Sequence, residues 1–230
     1  MTKTILITGA NRGLGLEFVR QYAKEGATII ACCRDPNEAK DLQDLQKKHL
    51  NIEIHSLDVS SESDRLKLKE KVSKPIDILI NNAGMLEKGA AFGNISVDEL
   101  NKTFLVNAVA PLKLTETLSE NIAKSQRKLV VCISSSMGSI SDNTSGGYYS
   151  YRASKTALNM LMKSAGVDLA SQGIQVLLLH PGWVKTRMGG SDAMIEPEVS
   201  ITGMRKVIEK YSPAAGEVRF YRYNGEIVAW

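Results

Sequence analysis

Apolar runs of strand length alternate with amphipathic stretches of helical period along nearly the whole chain, and no other feature restricts its architecture as much. TILIT is followed by LGLEFVRQYAKEG, whose Leu14, Phe18, Val19 and Tyr22 recur at helical spacing. ATIIACC is apolar on both faces, as a strand covered on two sides must be. Asp35-Pro36 ends that run and predicts a polar helix from there to about Lys48. IEIHSL, the charged helix SESDRLKLKEKV, IDILI, LVVCIS and IQVLLLH continue the series.

The stretch from Ser96 to about Lys124 reads as mostly helical, opened by a capping box of Ser96 with Glu99 and kinked or broken at Pro111. Another helix is expected from about Tyr151 to Ala170, stopping at Gly173, and a late one over EVSITGMRKVIEK. Asn224-Gly225, between VRFYRY and EIVAW, has the composition of a hairpin turn. Strand, helix, strand repeated about six times implies an α/β fold. It is a doubly wound parallel sheet with helices on both faces, because crossovers are right-handed. No repeat, low-complexity segment or linker divides the chain, so residues 1–230 are read as a single domain.

Composition narrows the functional classes. A hydrophobic content of 43% with 23% charged residues is that of a globular protein. The net charge of +4 is spread without a basic run, which gives nucleic-acid binding little support. Cys32, Cys33 and Cys132 form neither a disulfide framework nor a Cys-x-x-Cys metal spacing, and no metal is expected. That usage fits a reduced, cytoplasmic compartment. No apolar run reaches signal-peptide or membrane-spanning length, so a soluble protein with no membrane partner is expected.

In a sheet of this kind ligands sit at the carboxyl ends of the strands, so the chemistry belongs in the loops that follow them. After the first strand comes Thr8-Gly9-Ala10-Asn11-Arg12-Gly13-Leu14-Gly15. Glycines there let the backbone turn tightly against a pyrophosphate, whose charge the next helix's N-terminus favours. Glycine-rich strand-to-helix turns also arise from packing alone. After the second strand stands Cys33-Arg34, where an NAD site wants an acid for the ribose hydroxyls. Arg34, with Arg12, can instead hold a 2′-phosphate, which makes NADP (NADPH) the expected cofactor and NAD less favoured. Both arginines could equally be solvated surface residues, and Asp35 is one residue late for the ribose role.

Asp58-Val59, after the third strand, suits an adenine contact, although Asp58 suits a helix cap equally. Asn81-Asn82-Ala83-Gly84, after the fourth, is small enough for close approach to a ribose, or is a plain turn. After the fifth come Ser134, Ser135 and Ser136, then Tyr-Arg-Ala-Ser-Lys at 151–155. Tyr151 has Lys155 as its i+4 partner on one helical face, whereas Tyr149 has Ala153. Tyr148 has Arg152 at that spacing but precedes the expected helix start. A phenol of pKa about 10 matches neutral proton transfer poorly, and a nearby ammonium lowers it. The sixth strand is followed by His180-Pro181-Gly182-Trp183-Val184-Lys185-Thr186.

Together TGANRGLG, NNAG, Asn107, the serine run, YRASK and HPGWVKT resemble the short-chain dehydrogenase/reductase family over essentially the whole chain. The compact length, GANRGLG and YNGEIVAW look most like its sniffer and C-factor group of carbonyl reductases. The resemblance implies a Rossmann-type dinucleotide-binding and catalytic domain that moves a hydride between nicotinamide and a small-molecule carbonyl or alcohol. It implies Tyr151 as general acid/base, with Lys155 tuning it and holding the nicotinamide ribose. Ser135, three residues before Gly138, would stabilise the substrate oxygen, although a one-residue shift in register would promote Ser134 or Ser136. Asn107 would hold a water in a proton relay. Gly9, Asn11, Arg12, Gly13, Leu14 and Gly15 would contact the cofactor, as would Asn82, Ala83 and Gly84. Pro181, Gly182 and Val184 would pass near the nicotinamide, with Thr186 on its carboxamide.

His180 reads as structural, and Trp183 as either pocket wall or packing. The ten or so residues after Thr186 predict a short or mobile cover and broad specificity. A homodimer or homotetramer through helices 96–124 and 151–170 is also implied, unless the face of Ala153, Ala157, Leu158, Leu161 and Met162 packs only on its own sheet. A non-catalytic dinucleotide-binding regulatory or signalling protein is the competing reading. It has no need of Tyr151 and Lys155. A methyltransferase would carry an acid where Cys33-Arg34 stands.

Overall fold

Alternate residues of each central strand face opposite ways, and two separate apolar cores result. Ile5, Ile7, Ile29, Ile78, Ile80, Val131 and Leu177 pack into one, while Leu6, Ile30, Leu79, Val130 and Leu178 pack into the other. The computed structural model describes residues 2–87 and 91–230. Its strands are β1 (Thr4–Thr8), β2 (Thr28–Cys33), β3 (Ile52–Ser56), β4 (Ile78–Asn81), β5 (Leu129–Ile133), β6 (Gln175–His180) and β7 (Arg219–Arg222). They form one seven-stranded parallel sheet in the order β3-β2-β1-β4-β5-β6-β7, the doubly wound Rossmann-type arrangement expected.

The first core is closed by α1 (Gly13–Lys24), α2 (Lys40–Lys48) and α7 (Pro197–Lys210), through Phe18, Leu42 and Met204. The second is closed by α3 (Glu62–Lys71), α5 (Ala110–Ala123) and α6 (Tyr149–Asp168), through Leu68, Leu118 and Met162. Each fully buried side chain of this kind contributes about 1.5–3 kcal/mol over leaving it in water. The winding reverses between the neighbouring strands β1 and β4, which opens the crevice at their carboxyl ends.

Several boundaries differ from expectation for local reasons. The helix after Asp35-Pro36 starts only at Lys40, because Asp35 Oδ1 accepts from the Asn37 N–H (3.0 Å) and the Glu38 N–H (3.4 Å) and makes a turn there. The long helix at 96–124 is three pieces: α4 (Val97–Phe104), a π turn over Leu105–Val109, and α5. Pro111 has no N–H for the Asn107 carbonyl and its ring crowds that carbonyl, so the turn before it widens. Helix α6 begins at Tyr149 rather than Tyr151. After β7 the chain reverses at Asn224-Gly225 as expected. The return makes one antiparallel bridge, Tyr221 to Ile227, rather than a full strand.

The face proposed for assembly also divides. Leu158 and Met162 belong to the second core, with Ala157 and Leu161 packed against it, while Ala153 is exposed. Among the described residues no helix is long and apolar enough to cross a membrane.

Candidate active site

The loop after β1 is shaped by backbone requirements. Gly9 (φ +64°) and Gly13 (φ +54°) occupy the left-handed region that an L side chain resists. Gly15 is helical, and a Cβ there would overlap the Gly9 carbonyl oxygen and stand 2.6 Å from Asn82 Nδ2. Thr8 ties this loop to the one after β4. Its Oγ1 accepts from the N–H groups of Asn82 and Ala83, both at 3.0 Å, while Asn82 Nδ2 donates to the Thr8 carbonyl at 2.8 Å. Helix α1 starts with no acidic residue in its first turn and no side-chain cap, so its N–H groups face the crevice beside Asn11 and Leu14. This cradle suits a pyrophosphate.

The neighbouring loops carry the two arginines. Arg12 and Arg34 are both exposed. Asp35 is turned into its own loop through the Asn37 and Glu38 N–H groups. Asp58 does not cap α3, since Ser61 does that by accepting from the Asp64 N–H. Asp58 Oδ1 instead accepts from the N–H (2.9 Å) and hydroxyl (2.6 Å) of Ser60, which hold its carboxyl below the usual range, with Arg34 nearby adding to the effect. Val59 lies partly buried against the second core.

Across the crevice the geometry is made by buried polar side chains. Ser135 caps a short 3-10 turn, Ser136–Gly138, with Oγ accepting from the Met137 N–H at 3.2 Å. Gly138 lies against α6, where a Cβ would stand 2.8 Å from Lys155 Cβ. That contact seats the serine turn against α6. Burial raises the Tyr151 phenol above its ordinary pKa, and its hydrogen bond with Ser135 opposes the rise. The three serines separate cleanly: Ser134 Oγ donates to Asn159 Oδ1 (2.6 Å), and Ser136 Oγ lies 3.4 Å from His180 Nε2. Of the three, Ser135 is the one on Tyr151.

Lys155 Nζ lies 5.7 Å from the Tyr151 ring centroid and donates to the Ile133 carbonyl at 2.8 Å. Burial pushes its ammonium down to about 8. The expected electrostatic effect of Lys155 on the phenol is therefore not the dominant one here; burial and Ser135 dominate. Tyr148 precedes the helix at φ +49°, and Tyr149 packs on Phe92 with ring centroids 6.3 Å apart. Arg152 reaches the preceding loop, donating to Gly146 O (3.1 Å) and Ser145 Oγ (2.9 Å).

Asn107 sits in the π turn. Its Oδ1 accepts from the Met85 N–H, and its Nδ2 donates to the Met85 carbonyl, each at 2.8 Å, and to Ser154 Oγ at 3.0 Å. Gly84 faces it: a Cβ there would meet Asn107 Oδ1 at 3.3 Å and Lys155 Nζ at 3.8 Å. After β6, Ser200 Oγ donates to the Pro181 carbonyl (2.6 Å), and Gly182 takes φ +84°. Thr186 Cγ2 lies 3.5 Å from a Cβ built on Gly13, so this loop closes on the glycine turn. Val184 is buried and pairs with Ile195, and Lys185 N donates to Ile195 O (2.9 Å), so residues 187–196 return to α7 without a helix.

Trp183 is half exposed, its Nε1 donating to Gly189 O (2.8 Å), which makes it rim rather than core. Burial pushes the His180 imidazole down to about 4, so it stays neutral near pH 7.

A depression of about 710 Å³ lined by Tyr22, Arg205 and Glu209 lies at the opposite, amino-terminal ends of the strands and holds none of these groups. Sequence reasoning missed Thr8, Ser154 and Asn159 as the groups that fix the site. Ser154 donates to the Tyr151 carbonyl (2.8 Å) while accepting from Asn107, and its place within YRASK was the available signal. Nothing in the sequence marked Asn159.

The chain matches the short chain dehydrogenase family over residues 3–194. It is 41% identical over 156 residues to C-signal of Myxococcus xanthus, spanning 68% of this chain and 93% of that protein. Its fold superposes on the carbonyl reductase Sniffer of D. melanogaster with a TM-score of 0.93 at 37% identity, covering 100% of both chains. An NADPH-bound carbonyl reductase from chicken fatty liver superposes equally, with a TM-score of 0.93 at 32% identity over 100% of this chain and 99% of that one.

Proposed function

The chain belongs to the short chain dehydrogenase family, and from that premise we propose that it is an NADPH-dependent carbonyl reductase with Tyr151 as its general acid. The observation that carries this reading is the buried Ser135–Tyr151–Lys155 set, placed across the crevice from a glycine turn that suits a pyrophosphate. The residues fit a dinucleotide: Gly15 leaves no room for a Cβ, α1 presents uncapped N–H groups, and Arg12 and Arg34 offer positive charge for a 2′-phosphate. When bound, the reduced nicotinamide supplies the hydride.

The chain's own task is the proton. Ser135 donates to the substrate oxygen as negative charge develops there, and Tyr151 gives up its phenolic proton to that oxygen, yielding the alcohol and a tyrosinate. A phenol kept protonated by burial is loaded for reduction. Lys155, at hydrogen-bonding distance from Ile133 O, holds the ribose and stabilises the tyrosinate until solvent restores the proton. The Asn107 side chain is committed to Met85 and Ser154, which leaves its main-chain carbonyl to hold a relay water. NADPH is favoured over NADH because the loop after β2 offers Arg34 while Asp35 is turned away. Likeness to the NADPH-bound chicken reductase supports that choice. Assembly through the helices of residues 96–124 and 151–170 belongs to the same proposal, with Phe104, Leu105 and Met160 exposed.

The test is turnover of NADPH and NADH against aldehydes, ketones and quinones, in wild type and Tyr151→Phe. NADPH oxidation is expected with some carbonyls, and the variant should lose about 10²–10⁴-fold in kcat. Wild-type cofactor binding without any carbonyl turnover would favour the regulatory reading instead.

A further inference from the structure

The segment joining Ser135 to Tyr151 is tied down from two directions. From α6, Arg152 donates to Gly146 O, Ser145 Oγ and Met137 O (3.1, 2.9 and 3.5 Å). From the stretch after β7, the Trp230 carbonyl oxygen accepts from the Ser141 N–H (3.2 Å), Ser141 Oγ (3.0 Å) and Ser139 Oγ (3.3 Å). Trp230 is itself anchored. Lys163 Nζ of α6 sits 5.0 Å from its ring centroid, and the Phe220 ring of β7 lies 6.0 Å away. Two residues earlier, Val228 is buried in the second core and its N–H donates to Phe220 O at 2.8 Å.

The path from this anchor to the crevice is short. The Ser139 N–H donates to Ser136 O (2.9 Å), the Gly138 N–H to Ser135 O (2.8 Å), and the Met137 N–H to Ser135 Oγ (3.2 Å). On its other side Gly138 is pressed against Lys155 and its carbonyl accepts from Thr156 Oγ1 at 2.9 Å. The 3-10 turn that carries Ser135 is thus clamped between α6 and Trp230.

We propose that Trp230 is a positioning residue, which holds residues 136–141 so that the Ser135 hydroxyl stays on Tyr151. The inference rests on the reading of Tyr151 as general acid. It assigns work to a residue far along the chain from the crevice, and to the paired serines 139 and 141, which touch neither cofactor nor reacting atoms.

Hydrogen exchange by mass spectrometry and steady-state kinetics on wild type, Trp230→Ala and Trp230→Phe test it. In Trp230→Ala the amides of 136–142 should exchange about tenfold faster, the change expected for losing roughly one hydrogen bond's worth of local stability. Peptides covering residues 9–15 should stay unchanged. The kcat with NADPH and a reducible aldehyde should fall at least fivefold, a modest share of what a lost oxyanion donor removes, with the KM for NADPH unaltered. Trp230→Phe, which keeps an aromatic ring under Lys163, should recover most of both effects.

Wild-type exchange over 136–142 in Trp230→Ala, or faster exchange there with undiminished kcat, overturns the proposal. Should Trp230→Ala fail to fold, the double variant Ser139→Ala/Ser141→Ala keeps the ring packing and removes both hydroxyl tethers. It must then show the faster exchange and the lower kcat, and wild-type behaviour in it defeats the idea. If wild type reduces no carbonyl, the reading of Tyr151 fails, whereas the exchange measurements still decide whether Trp230 holds the serine segment.

Discussion

The two sides of the crevice are built by opposite means. The side formed by the loops after β1 and β4 is a backbone construction, in which Gly9, Gly13 and Gly15 clear space and Thr8 binds the main chain of Asn82 and Ala83. The side formed by the π turn, the serine segment and α6 is a side-chain construction. Asn107, Ser154, Asn159 and Thr156 there hold Met85, Tyr151, Ser134 and Gly138 through buried or part-buried hydrogen bonds. On the proposed reading the first side receives a diphosphate, which is large, charged and well met by repeated N–H groups, so backbone suffices. Proton transfer needs one hydroxyl placed to a fraction of an ångström, and only a packed polar network supplies that.

The largest effect should come from breaking the backbone side. Gly15→Ala puts a methyl group on the Gly9 carbonyl and beside Asn82 Nδ2, a main-chain clash that nothing flexible can absorb. Calorimetry should show destabilisation of about 1–3 kcal/mol or more, and titration a loss of NADPH binding. Unaltered binding in that variant would mean that this turn does not receive the phosphates.

Next in size is Arg34→Asp, which should weaken NADPH by about 10–100-fold, the value of a charge-assisted contact, while changing NADH little. Equal losses for both cofactors would remove Arg34 from 2′-phosphate recognition.

On the side-chain half, Ser154→Ala removes the link between Asn107 and the Tyr151 carbonyl. It should cost about 1–2 kcal/mol of stability and reduce kcat more than NADPH affinity. A variant that lost cofactor affinity and kept kcat would reverse the division of labour between the two sides.

The smallest effect is a slope. Lys155 is pushed down to about 8 by burial in the folded chain, against an ordinary 10.5. Between those values the unfolded chain binds the proton that the folded chain has released, so this group's contribution to stability rises with pH across the window. Wild type measured against Lys155→Met should therefore gain relative stability from about pH 8 to 10.5. A flat difference would place the ammonium in a wetter site than its contact with Ile133 O implies.

Much of this arrangement is legible in the amino-acid sequence. Every informative loop was expected at a strand carboxyl end, and each lies there. The helix start at Tyr149 was missed by two residues, yet Tyr151 and Lys155 still share a face because their i+4 relation survives that shift. Asp35 shows the reverse case. Its backbone neighbours captured the carboxylate, a local competition that propensity alone does not rank. Asn159 could not be found at all, since an asparagine on a helix face carries no sign of the serine it will meet.

What the amino-acid order alone determined is the periodic part: the strands, their flanking helices and the glycines that a tight turn requires. Those follow from steric and apolar patterns repeated within a few residues. The tertiary structure decided which of three adjacent serines reaches Tyr151, how far burial offsets Lys155, and that Trp230 closes on residues 139–141. Each of these depends on the packing of segments distant in the chain, where a one-residue rotation redirects a side chain and desolvation outweighs the charge of a neighbour.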